Sequence, residues 1–384
     1  MSVAASLVVF GEDWGRHPSS TQHLVRRLAD TRDVVWVNSI GLRRPRLDRA
    51  DLGRAAAKVL RRRAVAPAAA GSAAGTSAKA PPPSMSIVPP LAVSWPGSRV
   101  AAAANRALLG WQVRRALARR GLARPILWTS LPTAAPLLGA FEERGVVYYC
   151  GDDFGALAGV DHEPVVAMER QLAERADLIV AASPQLAERF PAARTLVLPH
   201  GADVDLFRRP VAAPADLRRE RRRIAGFYGS LSDWIDVELL ATAARRLPDW
   251  DFVLIGEVRT ALGDLAGLPN VRLLGVREHG ALPAYVQNWD VSLLPFRDNP
   301  QIRACNPLKL REYLAAGTPV ASTPFPALQP YAGLVEVGSD ADAFVRAIAS
   351  AGNDSRRNVQ RRTAVAQESW EARARDLARV LEAL

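Results

Sequence analysis

The sequence has few of the residues from which disulfide frameworks and metal sites are built. Its 384 residues include two cysteines, Cys150 and Cys305, too few for a disulfide framework or a four-cysteine zinc site. The five histidines are scattered, and none forms the H-x-x-x-H pair of many zinc enzymes. The sequence therefore predicts neither a metal nor a cofactor.

Long apolar segments are also missing. No run approaches the roughly 18 apolar residues that a membrane-spanning helix needs. The first ten residues lack the basic region of a signal peptide and are typical of a first buried β-strand. We therefore expect a cytoplasmic protein that is soluble or attached peripherally to the inner face of the cytoplasmic membrane.

The formal net charge of the whole chain is +11, and acidic residues are scarce in its first half. Residues 1–200 contain 26 Lys and Arg against 16 Asp and Glu, whereas residues 201–384 contain 24 against 23. The excess concentrates at 43–63, with nine basic and two acidic residues, and at 99–124, with seven basic and none acidic. This asymmetry suggests that only one half meets a negatively charged surface.

The segment 52–63 combines apolar and cationic residues in a pattern suited to an anionic membrane surface. A solvated helix is the simpler interpretation. Nucleic-acid binding ranks last, because no helix-turn-helix, zinc or RNA-binding signature accompanies the charge. The following stretch, 64–90, is rich in Ala, Pro, Gly and Ser and is predicted to be a loop.

Short apolar strands alternate with helical patterns throughout the chain, which predicts an α/β protein with parallel sheets. The predicted strands are 5–10, 34–37, 126–128, 146–149, 178–181, 195–198, 225–228, 252–255, 271–273, 291–294 and 319–322. The predicted helices include 20–30, 101–120, 132–143, 164–176, 235–246, 282–288, 307–316 and 340–350. Two doubly wound domains with a ligand site in the cleft between them fit this pattern.

The domain limits follow from composition. A Pro- and Arg-rich stretch at 203–224 suggests the join. We predict an N-terminal domain at 1–205, a C-terminal domain at 206–367, and an amphipathic helix at 368–384 that packs back toward the N-terminal domain.

The strongest motif lies at 305–320 and reads as one helix followed by a strand. Asn306 suits the N-cap and Pro307 the first helical position, while Gly317 stands where a helix ends. The free N–H groups at the start of such a helix attract anions.

Lys309 and Glu312 are the candidate ligand-binding residues of this helix. Lys309 adds a positive charge to the first turn, and Glu312 follows one turn later on the same side. A diphosphate at the helix start would place a ribose near Glu312, whose carboxylate can accept hydrogen bonds from its hydroxyls. The simpler interpretation is that both charges decorate an amphipathic helix, but the ordered set of cap, Pro, Lys, Glu and Gly favours a ligand.

The segment resembles the donor-nucleotide motif of GT-B glycosyltransferases, P-x-K-x-x-E-Y-L-A-x-G-x-P-V. The matching positions are Pro307, Lys309, Glu312, Tyr313, Gly317, Pro319 and Val320. Four further segments resemble pieces of bacterial polysaccharide glycosyltransferases in the same order: 146–154, 176–183, 198–207 and 226–231. The likeness covers most of 140–325.

The resemblance implies a GT-B fold, with two Rossmann-like domains facing a central cleft, and a nucleotide-diphosphate sugar such as a UDP-sugar as donor. It implies a lipid-linked or polysaccharide acceptor at an anionic membrane surface, as in exopolysaccharide biosynthesis. The helix dipole and Lys309 would stabilise the departing diphosphate without a metal. The implied donor-binding residues are Lys309 on the diphosphate and Glu312 on the ribose, with Asn306, Pro307, Gly229, Ser230 and His200.

The sequence departs from the family pattern in three places. Ala304 stands where many retaining relatives carry a first Glu, eight residues before Glu312, and His200 replaces an Asn. The segment 230–234 stands where the family usually has an Arg and a Lys after the glycine turn of the donor domain. The choice between inverting and retaining chemistry stays open, as do the sugar, the nucleotide and the acceptor.

Carboxylates that follow two predicted strands are candidates for the catalytic base and the acceptor side. Asp152 and Asp153 follow the strand at 146–149, and we favour Asp153 slightly as the base. Glu12 and Asp13 follow the first strand and are acceptor-side candidates. The alternative for the Asp pair is a cap of a helix or turn.

Two other functions remain open. A sugar-nucleotide 2-epimerase of similar fold would use the same donor motif. A non-catalytic membrane-associated scaffold would use only the basic surface.

Overall fold

The computed structural model describes residues 4–15, 19–42, 80–157, 160–217, 222–354 and 356–384. The chain divides into two compact units. The first comprises Met1–Leu198 with Ala374–Leu384, and the second comprises Pro199–Arg373. The last turns of the C-terminal helix thus group with the first unit, and the division falls at 198 rather than at the predicted 205.

The first unit is built on a seven-stranded parallel sheet of order β3-β2-β1-β4-β5-β6-β7. Its central strands are entirely buried and rich in β-branched residues, as expected for strands covered by helices on both faces. The strands are β1 Leu7–Phe10, β2 Val34–Val37, β3 Met85–Val88, β4 Ile126–Thr129, β5 Gly145–Cys150, β6 Leu178–Ala181 and β7 Thr195–Val197.

Edge strand β3 corrects the prediction of a loop at 64–90. Met85–Val88 pairs in parallel with β2 over four residues, from Val34 to Val37. Prolines on both sides of these four residues gave a loop signal, but an edge strand tolerates neighbouring prolines because one side needs no ladder bonds. The rest of the predicted loop up to 79, and the basic segment 52–63, lie outside the described residues.

The helices of the first unit pack on both faces of this sheet. The α-helices are α1 Ser20–Leu28, α2 Arg99–Arg119, α3 His162–Arg175 and α4 Pro184–Ala187, and Pro132–Leu137 and Ala192–Arg194 form 3-10 helices. The prediction of one helix at 132–143 is wrong. Pro136 removes a backbone donor, and the chain turns at Gly139 with a φ of 77°.

The second unit repeats the architecture with a six-stranded parallel sheet of order β10-β9-β8-β11-β12-β13. Relative to its first strand this is the order 3-2-1-4-5-6, the same as in the first unit, with a topological switch between β8 and β11. The predicted class of two Rossmann-like parallel sheets is therefore confirmed. The strands are β8 Arg223–Tyr228, β9 Trp250–Ile255, β10 Val271–Gly275, β11 Val291–Leu294, β12 Val320–Ser322 and β13 Glu336–Val337.

Helix α9 is the central helix of the second unit, and every residue from Leu310 to Ala316 is buried. The hydroxyl of Tyr313 accepts a hydrogen bond of 3.2 Å from the backbone N–H of Tyr228, which fixes α9 against the end of β8. The helices are α5 Val204–Arg208, α6 Val237–Arg246, α7 Leu282–Val286, α8 Pro300–Ala304, α9 Leu308–Ala316, α10 Ala341–Gly352, α11 Asn358–Ala364 and α12 Trp370–Leu381, with 3-10 helices at Gly263–Gly267, His279–Ala281 and Pro326–Tyr331.

None of the helices within the described ranges combines the length and the apolar character needed to cross a membrane.

Candidate functional site

The start of α9 differs in detail from the prediction. Pro307 is the N-cap rather than the first helical residue, and no side chain caps the helix. Asn306 is not the cap, because its Oδ1 accepts a 2.5 Å hydrogen bond from Arg311 Nη1 and so braces the helix from inside. Within the part of the chain that the structure describes, no side-chain acceptor bonds the first N–H groups of α9, which makes this end attractive to an anionic ligand.

Lys309 extends from this first turn toward the end of β8. Its Nζ lies 5.6 Å from the centre of the Phe227 ring. Burial lowers the pKa of Lys309, and the charge of Glu312 opposes that shift. The site therefore holds a poorly hydrated amino group, whose charged form a phosphate would stabilise in place of water.

Gly229 makes room for Lys309. Its φ is +131°, and a Cβ at this position would lie 2.3 Å from Lys309 Cε. Gly229 and Ser230 are implied donor-binding residues, and a glycine turn could offer its backbone N–H groups to a phosphate. The N–H of Gly229 cannot do so here, because it donates to the carbonyl of Ile255 at 2.8 Å. For Ser230 this role stays a prediction.

Glu312 follows Lys309 by one helical turn and is almost entirely buried, with its side chain 6% exposed. One carboxylate oxygen accepts a hydrogen bond from the hydroxyl of Tyr228, and the other lies 2.7 Å from His279 Nε2. A carboxylate offers about four acceptor positions. The two that remain could serve a ribose, so the predicted role of Glu312 is compatible with its partners.

His279 is a site residue that the sequence analysis did not identify. Its Nδ1 lies 3.7 Å from Asp203 Oδ2, so the ring stands between two carboxylates. Burial by itself lowers the pKa of His279, but the hydrogen bond to Glu312 and the charges of Glu312 and Asp203 outweigh it, and the net shift is upward. Its position shortly after β10, at the carboxyl edge of a parallel sheet, was the available signal.

His200 lies beside the start of α12. Its ring centre is 6.3 Å from that of Trp370. The neighbouring Gly201 packs so closely that a Cβ there would lie 2.7 Å from the backbone nitrogen of Trp370. The close packing of Gly201 against the start of α12 thus fixes the position of His200 within the second unit.

In the first unit, Asp153 is engaged in structural contacts. Its Oδ1 accepts hydrogen bonds of 2.9 Å from the N–H of Gly155 and 2.9 Å from Arg189 Nη1. Arg189 Nη2 is in turn held 2.5 Å from the buried carboxylate of Glu169. These contacts favour the turn-stabilising alternative for Asp153.

Asp152 has a different environment. It is exposed to solvent at the surface, yet the protein around its carboxylate raises its pKa through desolvation and through the negative charges of Glu12 and Asp153. A reachable carboxylate with a raised pKa suits a general base better than one paired with an arginine.

The acceptor-side candidates, Glu12 and Asp13, follow β1 at the carboxyl edge of the seven-stranded sheet. Glu12 Oε2 accepts a 2.8 Å hydrogen bond from the hydroxyl of Ser19, the N-cap of α1. Asp13 Oδ1 accepts one of 3.3 Å from the N–H of Ser39 and so ties the loop after β1 to the loop after β2. Glu12 thus lies close enough to Asp152 for their charges to interact, whereas Asp13 links two loops.

A metal centre has no ligand set in the described part of the chain, where no group of three or more His, Cys, Asp or Glu side chains could hold a metal ion.

Comparison with known proteins identifies the family of the second unit. Residues 222–354 match a family model described as "Glycosyl transferases group 1". A protein from Bacillus subtilis (strain 168) named "Putative teichuronic acid biosynthesis glycosyltransferase TuaH" is 29% identical over 223 residues, which cover 53% of this chain and 56% of the relative. The match thus spans about half the length of that relative.

Solved structures show the fold of the whole chain. HepE from Anabaena, solved with UDP and glucose, has a TM-score of 0.66 at 13% identity, covering 99% of this chain and 100% of HepE. Sucrose-phosphate synthase from Thermosynechococcus elongatus has a TM-score of 0.65 at 17% identity, covering 98% of each chain. The resemblance read from the sequence is confirmed: residues 222–354 match the group 1 glycosyltransferase model, and the chain as a whole has the GT-B fold.

Proposed function

We propose that this protein is a glycosyltransferase that moves a sugar from a nucleotide-diphosphate sugar to a lipid-linked or polysaccharide acceptor at the cytoplasmic face of the membrane. One observation carries the proposal. Lys309 stands in the uncapped first turn of α9, one turn before the buried carboxylate of Glu312, at the carboxyl end of the first strand of a Rossmann-like sheet.

The donor side follows from this arrangement. The diphosphate would meet the N–H groups of α9 and the ammonium group of Lys309, while the ribose hydroxyls would donate to Glu312. Tyr228 and His279 hold the carboxylate in place before the donor arrives. The presence of UDP and glucose in the structure of HepE favours a UDP-sugar as donor.

The acceptor side rests on the relative and on charge. The Bacillus relative is named as a putative glycosyltransferase of teichuronic acid biosynthesis. Residues 1–200 carry +10 of the formal charge, which suits an acceptor presented at an anionic membrane surface.

The chemistry needs one base and one stabilised leaving group. The acceptor hydroxyl would attack the anomeric carbon of the sugar as the bond to the diphosphate oxygen breaks. Asp152 would take the hydroxyl proton, and Lys309 with the start of α9 would stabilise the charge that develops on the diphosphate. The proposed reaction uses no metal or other cofactor.

Donor binding and turnover test the proposal. A panel of UDP-, GDP- and dTDP-sugars should include one that raises the thermal unfolding temperature of the wild-type chain and releases its nucleotide when membrane acceptors are added. Glu312→Ala should weaken donor binding about tenfold to a hundredfold, because charged hydrogen bonds to the ribose are lost. Glu238→Ala, at an exposed carboxylate in the first turn of α6, is the matched control.

The outcomes separate the alternatives. Equal donor binding by Glu312→Ala and wild type would contradict the site. An epimerised donor in the absence of any acceptor would identify a 2-epimerase, and no thermal shift with any donor would favour a scaffold.

A further inference from the structure

Exposed apolar side chains in the first unit concentrate in one short region. Of the thirteen large hydrophobic residues that are exposed among the described residues, six lie between positions 91 and 111. They include both exposed tryptophans, Trp95 at 52% and Trp111 at 56%. We call these six the apolar–basic surface: Leu91, Val93, Trp95, Val100, Leu108 and Trp111.

The surface has a defined construction. The segment 91–95 is held along α2 by two side-chain amides. Asn105 bonds both the N–H and the carbonyl of Val93, at 2.7 and 2.9 Å, and Gln112 bonds both groups of Leu91, at 2.9 and 3.2 Å. The backbone N–H of Trp95 also donates to the carbonyl of Val93 at 3.1 Å, which makes a tight turn at Ser94. All three apolar residues of this segment remain exposed, Leu91 at 45%, Val93 at 43% and Trp95 at 52%.

Helix α2 continues the surface on its outer side. Val100, Leu108 and Trp111 follow helical spacing, and the residues that α2 buries, among them Leu109 and Val113, occupy the opposite side. The apolar face is therefore not a core face left uncovered, because the helix already has one.

The charge of this region has one sign. Residues 99–124, which include the whole of α2, contain seven Arg and no Asp or Glu. Arg115 lies over the ring of Trp111, 5.7 Å from its centre, and Arg99 and Arg119 are exposed on the same helix. No ion pair between these three arginines and a carboxylate occurs among the described residues.

We propose that the apolar–basic surface docks on an anionic phospholipid bilayer, with Trp95 and Trp111 at the level of the headgroups. Tryptophan prefers the membrane interface because its ring is apolar and its N–H needs a polar partner. Each arginine near an anionic leaflet adds attraction. The inference rests on the proposed function only for the reason why the protein would bind a membrane. The docking surface and its lipid partner are argued from exposure and charge.

Charge argues against the other occupants. A second copy of this chain would bring two cationic surfaces together, which is unfavourable. The segment 43–63 carries nine basic and two acidic residues and would be repelled in the same way. Nucleic acid would match the arginines, and its bases could stack on the tryptophans, but it would leave the exposed leucine and valine side chains without an apolar partner.

Vesicle binding by the full chain tests the inference. At about 150 mM salt, flotation with vesicles of phosphatidylcholine containing one third phosphatidylglycerol should capture the wild type, and pure phosphatidylcholine vesicles should bind about tenfold less. The double variant Trp95→Ser/Trp111→Ser should bind the anionic vesicles about tenfold more weakly, because its interfacial anchors are lost. Val258→Ser/Val276→Ser removes two exposed apolar residues of the second unit and should bind as wild type.

A charge pair completes the test. Arg115→Gln/Arg119→Gln should weaken binding about tenfold, whereas Arg346→Gln/Arg356→Gln lowers the net charge equally in the second unit and should have little effect. Thermal unfolding confirms that each variant is folded, and the donor-induced thermal shift reports on the proposed function separately.

Three results would overturn the inference: no binding to anionic vesicles by the wild type, equal binding with and without anionic lipid, or wild-type binding by the tryptophan variant. A wild-type dimer that the tryptophan substitutions convert to monomer would assign the surface to a second copy instead. If a variant loses vesicle binding but keeps the donor-induced thermal shift, the result tests this surface and leaves the proposed function unaffected.

Discussion

The two units share one strand order but present opposite chemistry at corresponding edges. After the first strand of the second unit, Gly229 leads into a cationic cluster in which Lys309 and His279 surround one buried carboxylate. After the first strand of the first unit, Glu12 leads into a group of carboxylates that includes Asp152.

This difference separates what the scaffold supplies from what the loops supply. Both parallel sheets bring loop residues together at their carboxyl edges. The residues in those loops then decide whether the edge suits an anionic diphosphate or a hydroxyl that must lose a proton. Single substitutions in the two units remove one element of this contrast at a time.

The largest effect is expected at Lys309. Lys309→Met keeps much of the side-chain volume but removes the charge beside the start of α9, so turnover should fall about 100- to 1000-fold, as when a preorganised group that stabilises developing charge is lost. Nucleotide release under saturating acceptor measures this change. Lys309→Arg, which keeps the charge, should retain more activity than Lys309→Met, and wild-type turnover in Lys309→Met would refute the assignment.

The carboxylates of the first unit should respond unequally. Asp152→Asn should lower turnover about 100-fold with donor binding intact, as expected when a general base is lost. Asp153→Asn should keep most activity but lower the unfolding free energy by about 1–3 kcal/mol, because its contacts to Arg189 and Gly155 weaken. Loss of turnover in Asp153→Asn, with most activity retained in Asp152→Asn, would identify Asp153 as the base instead.

The pKa of Asp152 also predicts a pH dependence. A base must be ionised, and desolvation with the charges of Glu12 and Asp153 raises this pKa above 3.8. Turnover should therefore fall as the pH drops through the raised value, and Glu12→Gln should move the fall to lower pH. A pH–rate profile of the two proteins measures the shift, and identical acid limbs would remove Glu12 from the cluster.

Gly229 tests how closely the second unit is packed around its lysine. Gly229→Ala adds a Cβ 2.3 Å from Lys309 Cε at a φ of +131°. The strain should cost about 1–3 kcal/mol of stability and displace Lys309, which weakens donor binding. Gly267→Ala, whose Cβ meets no atom within 4 Å, is the control. Calorimetry and donor titration measure both effects, and equal stability of the two variants would contradict the close approach.

The smallest effect is expected at His279. Its pKa is raised in the folded state, so protonation contributes stability that is present below pH 6.5 and lost as the pH rises through the raised value. The ring is 39% exposed, and solvent screening should limit the contribution to about 1 kcal/mol or less. The difference in unfolding temperature between wild type and His279→Gln should shrink from pH 5.5 to pH 9. A constant difference would exclude this linkage.

Much of the architecture could be predicted from periodicity. Buried runs such as Val34–Val37 and Val291–Leu294 have no competing helical interpretation, and the glycine at 317 marks the end of α9, with a φ of 82°. The strand Met85–Val88 was missed because four residues between prolines carry a weak local signal. Pairing with β2 stabilises that strand, and such pairing is not visible in one segment.

The site was predicted in part for a similar reason. Lys309 and Glu312 stand in one motif, so their spacing revealed them. Tyr228 and His279 reach Glu312 from positions 84 and 33 residues away, and no local pattern connects them. The choice between Asp152 and Asp153 likewise depended on Arg189, which lies 36 residues beyond Asp153.

The sequence by itself determined the class of sheet, the position of the donor motif and the unequal charge of the two halves, because periodicity, caps and charge are local properties of a chain. Only the tertiary structure decided which partners hold each carboxylate and which apolar residues remain exposed. Those outcomes depend on contacts between distant segments, where burial and hydrogen bonding set both the pKa of a group and its access to a ligand.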